Sequence, residues 1–257
     1  MSKSVPALFI RKGIKRTLSM VVRTCFMGTI TRVQTSEPVL ALTFDDGPHP
    51  YYTAQLLDIL DKHQAKVTFF CVGKFASKYP ELIRRAAEAG HLIGNHTWDH
   101  PSLPLLPHIE QHHQIQRCRE ALKPYGTSLF RAPYGDQDAS TWRALVRYGY
   151  QSVGWTKDSG DWRLRSADRI LEGIQPYLSP GSVLLFHDRI AVTSQSPEHF
   201  DRSPTLDAVD LLLQQLRGRY RLVTVTELMK YGQVVREAWC NEGTRHALRI
   251  EDPELGE

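Results

Sequence analysis

Two short stretches of this chain combine residues able to activate water. Thr43-Phe-Asp-Asp-Gly-Pro48 sets two carboxylates side by side at the end of an apolar run, and His96-Thr-Trp-Asp-His100 sets two imidazoles four residues apart. One aspartate with two histidines makes a three-ligand site for a divalent cation, with positions left open for water. The neighbouring carboxylate is then free to act as a base, which completes the minimum for metal-assisted hydrolysis. Adjacent residues at a strand end point in different directions, so Asp45 and Asp46 can take different tasks. The i, i+4 spacing of His96 and His100 predicts a helical turn that presents both rings on one face.

Three further segments fit the same chemistry. In Arg131-Ala-Pro-Tyr-Gly135 a rigid proline and a flexible glycine flank Tyr134. They shape a loop whose backbone N–H can stabilise an oxyanion, while Arg131 can hold a carboxylate through paired hydrogen bonds. Asp158-Ser-Gly-Asp-Trp162 offers two carboxylates and an aromatic face suited to a sugar, though alone it reads as an ordinary acidic loop. Leu184-Leu-Phe-His-Asp188 places His187 at the end of an apolar strand, where a general acid is needed.

These residues need a frame. From about residue 38, apolar runs alternate with amphipathic stretches about seven times. Strands are predicted at 39–43, 67–72, 91–94, 129–131, 151–155, 182–186 and 221–223, with helices at 52–63, 80–89, 109–122, 141–148 and 167–178. A further helix is capped by Ser203 with Pro204 as its first residue. A last one opens with the capping box Thr224-Val-Thr-Glu227. Such alternation gives a parallel sheet covered by helices. The chemistry-bearing residues all fall at the C-terminal ends of predicted strands. In a barrel those ends converge on one mouth, so a distorted (β/α) barrel of about seven strand–helix units is expected rather than an open sheet.

Of 257 residues, 41% are hydrophobic and 23% charged, an ordinary composition for one large domain. The net charge of +4 is unevenly placed: seven of the 32 basic residues and none of the 28 acidic ones lie in residues 1–36. The rest carries 25 basic against 28 acidic residues, about −3, so the pI of 8.9 reports on the prefix and is no argument for a nucleic-acid-binding body; no nucleic-acid partner is expected. Three segments follow: a basic prefix at 1–36, a catalytic domain at 37–240 and a polar tail at 241–257. In the prefix, Ile14, Leu18, Val21 and Cys25 recur at helical spacing beside Arg11, Lys12, Lys15 and Arg16. This reads either as an amphipathic helix contacting an anionic membrane surface or as an arm packed on the barrel. Charges cut every apolar run short of a membrane span. Arg23 interrupts any signal-peptide core and no A-x-A site follows, so a cytoplasmic or membrane-associated location is expected over a periplasmic or secreted one. Cys25, Cys71, Cys118 and Cys240 show no C-x-x-C and no disulfide framework.

Taken together, the five segments resemble the motifs of the polysaccharide deacetylase family, the NodB-homology domain of carbohydrate esterase family 4. The family pattern T-F-D-D-G-P matches Thr43–Pro48 and H-[ST]-x-x-H matches His96–His100. R-x-P-Y matches Arg131–Tyr134, D-x-x-D-W matches Asp158–Trp162, and L-x-H matches Leu185–His187. Order and spacing agree from about residue 38 to 230, with no departure inside the motifs. The resemblance implies a NodB-like distorted barrel and a divalent metal, usually Zn2+, held by Asp46, His96 and His100. It implies Asp45 as general base oriented by Arg131, and His187 as general acid tuned by Asp161. The Tyr134 backbone would serve the oxyanion, while Trp162 and Leu185 would wall the acetyl and sugar pocket. The implied partner is an N-acetylated glycan losing acetate. The alternatives are an O-acetyl esterase on the same site, an amidase for a small non-sugar amide, and a non-catalytic glycan-binding protein. Oligomeric state is not encoded legibly.

Overall fold

The computed structural model describes residues 28–191 and 200–238. The amphipathic pattern at Ile14–Cys25, Cys240 and the polar tail at 241–257 lie outside the described residues, as does most of the loop between Ile190 and Arg202.

The strands are β1 (Thr29–Gln34), β2 (Val39–Asp45), β3 (Thr68–Cys71), β4 (Leu92–Asn95), β5 (Gly126–Phe130), β6 (Gln151–Ser152), β7 (Lys157–Asp158), β8 (Val183–His187), β9 (Arg221–Leu222) and β10 (Gln233–Glu237). The helices longer than one turn are α1 (Tyr52–Lys62), α2 (Gly73–Lys78), α3 (Pro80–Glu88), α4 (His108–Ala121), α5 (Ala139–Tyr148), α6 (Ala167–Ile174) and α7 (Ser203–Leu216). One curled parallel sheet runs β6-β5-β4-β3-β2-β8-β7, and β9 pairs with the start of β2. The expected distorted barrel is thus a half-barrel, open between β6 and β7.

β2 shows why the site forms where it does. All seven of its residues are buried, as expected for a central parallel strand covered on both faces. Side chains alternate across the sheet. Leu40, Leu42 and Phe44 face the helices, where Phe44 packs on Phe186 and Phe69 with ring centroids 5.7 and 5.6 Å apart. Truncating Phe44 to Ala would open a cavity costing about 3–5 kcal/mol. Val39 and Ala41 face the barrel interior with Phe70, Leu129, Val153 and Val183. Thr43 and Asp45 continue that inward line, so the apolar floor gives way to polar groups at the C-terminal mouth. In β8, Leu185 and His187 stand in register with Thr43 and Asp45.

The open edge is closed by β1, which lies inside the stretch read from charge as the basic prefix. Ile30 bridges Val153 beyond β6, the Gly154 N–H donates to Ile30 O at 2.8 Å, and the Val33 N–H donates to Gly181 O at 2.9 Å. β1 also pairs antiparallel with β10. Gly181 has φ +80°, and a Cβ there would lie 1.8 Å from Val33 O, so only glycine fits this seam.

Two local readings shift. Helix α7 begins at Ser203 rather than after it, and Asp201, not Ser203, accepts the first free N–H, at 2.8 Å. The expected 167–178 helix ends at Ile174 and continues as a 3-10 turn, Gln175–Tyr177, with a proline in it. Thr224 caps the final short helix (Val225–Leu228) as expected, accepting from the Glu227 N–H at 3.3 Å. Among the described residues no helix is long and apolar enough to cross a membrane.

Candidate active site

At the mouth, the β2–α1 turn bends sharply. Asp46 adopts φ 74°, which swings its carboxylate away from that of Asp45. Asp46 Oδ1 lies 3.3 Å from His96 Nε2 and 3.1 Å from His100 Nε2. The other oxygen of Asp46 accepts the Ala191 N–H at 2.8 Å.

The two histidines do not sit on a helical turn. His96–His100 is a loop in which Thr97 and His100 both have φ 66°. Left-handed backbone at non-glycine residues costs of order 1–3 kcal/mol each and persists only where the surroundings impose it. Here side chains hold the loop. Asn95 Oδ1 accepts the Thr97 N–H at 2.9 Å, Gln114 Oε1 accepts the Trp98 and Asp99 N–H groups at 3.0 and 3.2 Å, and Thr97 Oγ1 accepts the His100 N–H at 3.2 Å. Gln114 is a buried polar residue on α4 with no sequence motif around it, and sequence reasoning missed it.

His96 Nδ1 is 2.8 Å from Arg131 O, a contact that fixes Nδ1 as the protonated nitrogen and leaves Nε2 as a ligand atom. Asp46 Oδ1 is buried without a hydrogen-bond partner. Burial alone would raise the Asp46 carboxyl, but the adjacent His100 and His96 imidazoles hold it well below the usual carboxylate range. Two imidazoles and a carboxylate, all buried with donor atoms within 4.8 Å of one another, fit a divalent cation of the borderline class.

Arg131 lies beneath Asp45 and is 1% exposed. Nη1 donates to Asp45 Oδ1 at 2.7 Å and to Thr43 Oγ1 at 2.8 Å, Nη2 to Gly154 O at 2.6 Å, and Nε to Val153 O at 3.2 Å. Burial pulls its guanidinium down and Asp45 opposes that pull. Asp45 Oδ2 remains directed at the cluster, 3.7 Å from His96 Nε2. Tyr134, with φ 58°, packs its ring edge-on to His100, centroids 4.7 Å apart.

Across the mouth, His187 Nδ1 lies 2.8 Å from Asp161 Oδ1, and its backbone N–H donates to Asp161 Oδ2 at 2.9 Å. Burial would lower His187, but the adjacent Asp161 carboxylate outweighs it and pushes the imidazole up to about 10. Burial likewise opposes the drop of Asp161 to about 2, which the charges of His187 and Arg202 produce. Arg202 was not among the expected site residues. Trp162 stands at the rim, 37% exposed, with its indole N–H donating to Asp158 Oδ2 at 3.0 Å; Leu185 lies buried below His187. The first aspartate of the D-x-x-D-W motif therefore holds the loop, and the second holds the histidine.

All ten expected residues thus lie at or just beyond the C-terminal ends of strands of one parallel sheet. The polysaccharide deacetylase family model matches residues 32–153. A chitooligosaccharide deacetylase from Azorhizobium caulinodans is 37% identical over 63% of this chain and 79% of its own length. The chain belongs to the polysaccharide deacetylase family. Its relatives also include a peptidoglycan-N-acetylglucosamine deacetylase from Bacillus cereus, 35% identical over 74% of this chain and 68% of that one. A family 4 carbohydrate esterase from Streptomyces lividans, solved in complex with acetate, superposes with a TM-score of 0.66 at 30% identity, covering 78% of this chain and 98% of that chain. Enzymes of this family depend on a divalent metal, and this deacetylase has the donor set for one.

Proposed function

We propose that this deacetylase hydrolyses the N-acetyl group of amino sugars in a glycan, using a zinc ion held by Asp46, His96 and His100. The observation that carries this reading is the buried Asp46 oxygen, without a hydrogen-bond donor, facing two Nε2 atoms at 3.3 and 3.1 Å. When bound, such a cation supplies Lewis acidity and a water that loses its proton near neutral pH.

The chain's own groups divide the remaining work. Asp45 is the general base: one oxygen is tied to Arg131, so the carboxylate stays aimed, and the other is left for the proton of the attacking water. The Tyr134 backbone N–H faces the developing oxyanion. His187, protonated because of Asp161, gives its Nε2 proton to the departing nitrogen as the C–N bond breaks. Trp162 and Leu185 wall the acetyl and sugar pocket.

The acid favours an amide over an ester. An alkoxide departs with little help, whereas an amide nitrogen must be protonated as it leaves. A histidine held charged by a buried carboxylate suits the harder bond. Relatives named for chitooligosaccharide and for peptidoglycan point to N-acetylglucosamine polymers as the substrate class.

The test is acetate release by the zinc-loaded full chain from matched N-acetylated and O-acetylated oligosaccharides. Faster release from the N-acetylated series is expected. Release from the O-acetylated series alone would contradict the reading, as would tight glycan binding with no release from either.

A further inference from the structure

A buried guanidinium needs partners for its donors, and the choice of partners reveals its task. Arg202 is 1% exposed and precedes α7. Its Nη2 donates to Asp161 Oδ2 at 2.7 Å, its Nη1 to Asp161 O at 3.1 Å and its Nε to His187 O at 3.3 Å. Nη2 also reaches Thr205 Oγ1, which itself donates to Asp161 Oδ2 at 3.2 Å. Three donors of one side chain thus converge on the two residues of the acid pair.

We propose that Arg202 is a positioning residue for proton delivery, acting by sharing the Asp161 carboxylate with His187; this rests on the reading of His187 as general acid. Occupying Oδ2 confines the imidazole to Oδ1. The ring is then fixed with Nδ1 toward Asp161, and Nε2 is the nitrogen left for the substrate. Sharing also weakens the hold of the carboxylate on the imidazolium. A buried Asp161 answering to His187 alone would bind its charge more tightly and slow the transfer of the Nε2 proton to the leaving nitrogen. The other titratable groups acting on His187 include Asp45 and Asp46, from the end of β2, and the adjacent Asp188, and none of them contacts Arg202. The arrangement places the control of acid strength on the segment entering α7, away from the metal ligands.

The experiment uses leaving-group dependence on the zinc-loaded full chain. Wild type, Arg202→Met, Arg202→Lys, His187→Ala, Asp161→Asn and Asp161→Asn/Arg202→Met are compared on an N-acetylglucosamine oligomer and on 4-nitrophenyl acetate, whose leaving group needs no proton. Zinc content and melting temperature are measured for each. Arg202→Met is expected to lose about tenfold or more in kcat on the amide at nearly constant KM, while its aryl ester rate falls by less than about threefold. Arg202→Lys, keeping the charge, is expected to recover part of the loss. The double variant is expected to match Asp161→Asn alone, because Arg202 acts through Asp161. Equal losses on both substrates, an unchanged amide rate, or a double variant well below Asp161→Asn would overturn the proposal. Should Arg202→Met not fold, the double variant decides, since it buries no bare carboxylate. If His187→Ala discriminates between the substrates and Arg202→Met does not, only the role of Arg202 falls. If His187→Ala fails to discriminate, the acid assignment falls and the role of Arg202 with it.

Discussion

Arg131 Nη1 donates to Asp45 Oδ1 at 2.7 Å with both side chains almost fully buried. The same guanidinium is tied to two backbone carbonyls and to Thr43 Oγ1, so Asp45 rests on a platform that cannot swing. Replacing Arg131 with Met would leave an uncompensated carboxylate, at a cost of about 3–5 kcal/mol. Chemical denaturation should show that loss. A loss below about 1 kcal/mol would mean that water already reaches this pair.

Base and ligand should separate on substitution. Asp45→Asn should keep stoichiometric zinc and lose about 10²-fold or more in kcat, the range of general base catalysis. His96→Ala should lose zinc and turnover together. Metal analysis with acetate-release kinetics checks both. A near wild-type rate for Asp45→Asn would remove Asp45 from the base role.

The acid pair predicts a pH-dependent stability. Asp161 is depressed to about 2 from an unfolded value near 3.9, so its contribution is present above about pH 4 and lost as pH falls through about 2. His187 is raised to about 10 from an unfolded value near 6.5, so its contribution is complete below about pH 6.5 and lost as pH rises through about 10. In metal-free protein the stability difference between wild type and Asp161→Asn should be largest between about pH 4 and 6.5 and shrink on either side. Urea titrations across that range test it, and a difference independent of pH would contradict it.

Gly47 predicts a route to losing the metal without touching a ligand. A Cβ there would lie 2.3 and 2.6 Å from the oxygens of Asp188, a buried carboxyl that accepts the Thr53 hydroxyl and is pushed up to about 7 by burial. Gly47→Ala must therefore displace either Asp188 or the turn that carries Asp46. It should cost about 1–3 kcal/mol and weaken zinc affinity. Competition with a chelator reads the affinity, and wild-type zinc affinity in a destabilised Gly47→Ala would show that the turn does not set Asp46.

Much of this was legible because the motif residues stand at strand ends, where side-chain alternation and the parallel register are readable as letters. Asp45 and His187 illustrate it: each ends an apolar run, and the register makes them neighbours. What was not legible depended on distant pairing. β1 reads as part of a charged prefix because its six residues gain meaning only against β10 and the open edge at Val153 and Gly181. The His96–His100 loop mimics helical spacing, and only the hydrogen bonds that its backbone donates to Asn95 and Gln114 reveal that left-handed backbone brings the rings together. Arg202 carries no local pattern separating a buried arginine from a solvated one.

The account stands on a cation among Asp46, His96 and His100. Anomalous diffraction at the zinc edge from crystals of the zinc-loaded protein tests this most directly. It should show one strong peak about 2.0–2.2 Å from an Asp46 oxygen and from both Nε2 atoms. A peak elsewhere, or none in protein that carries zinc and is active in solution, would contradict it.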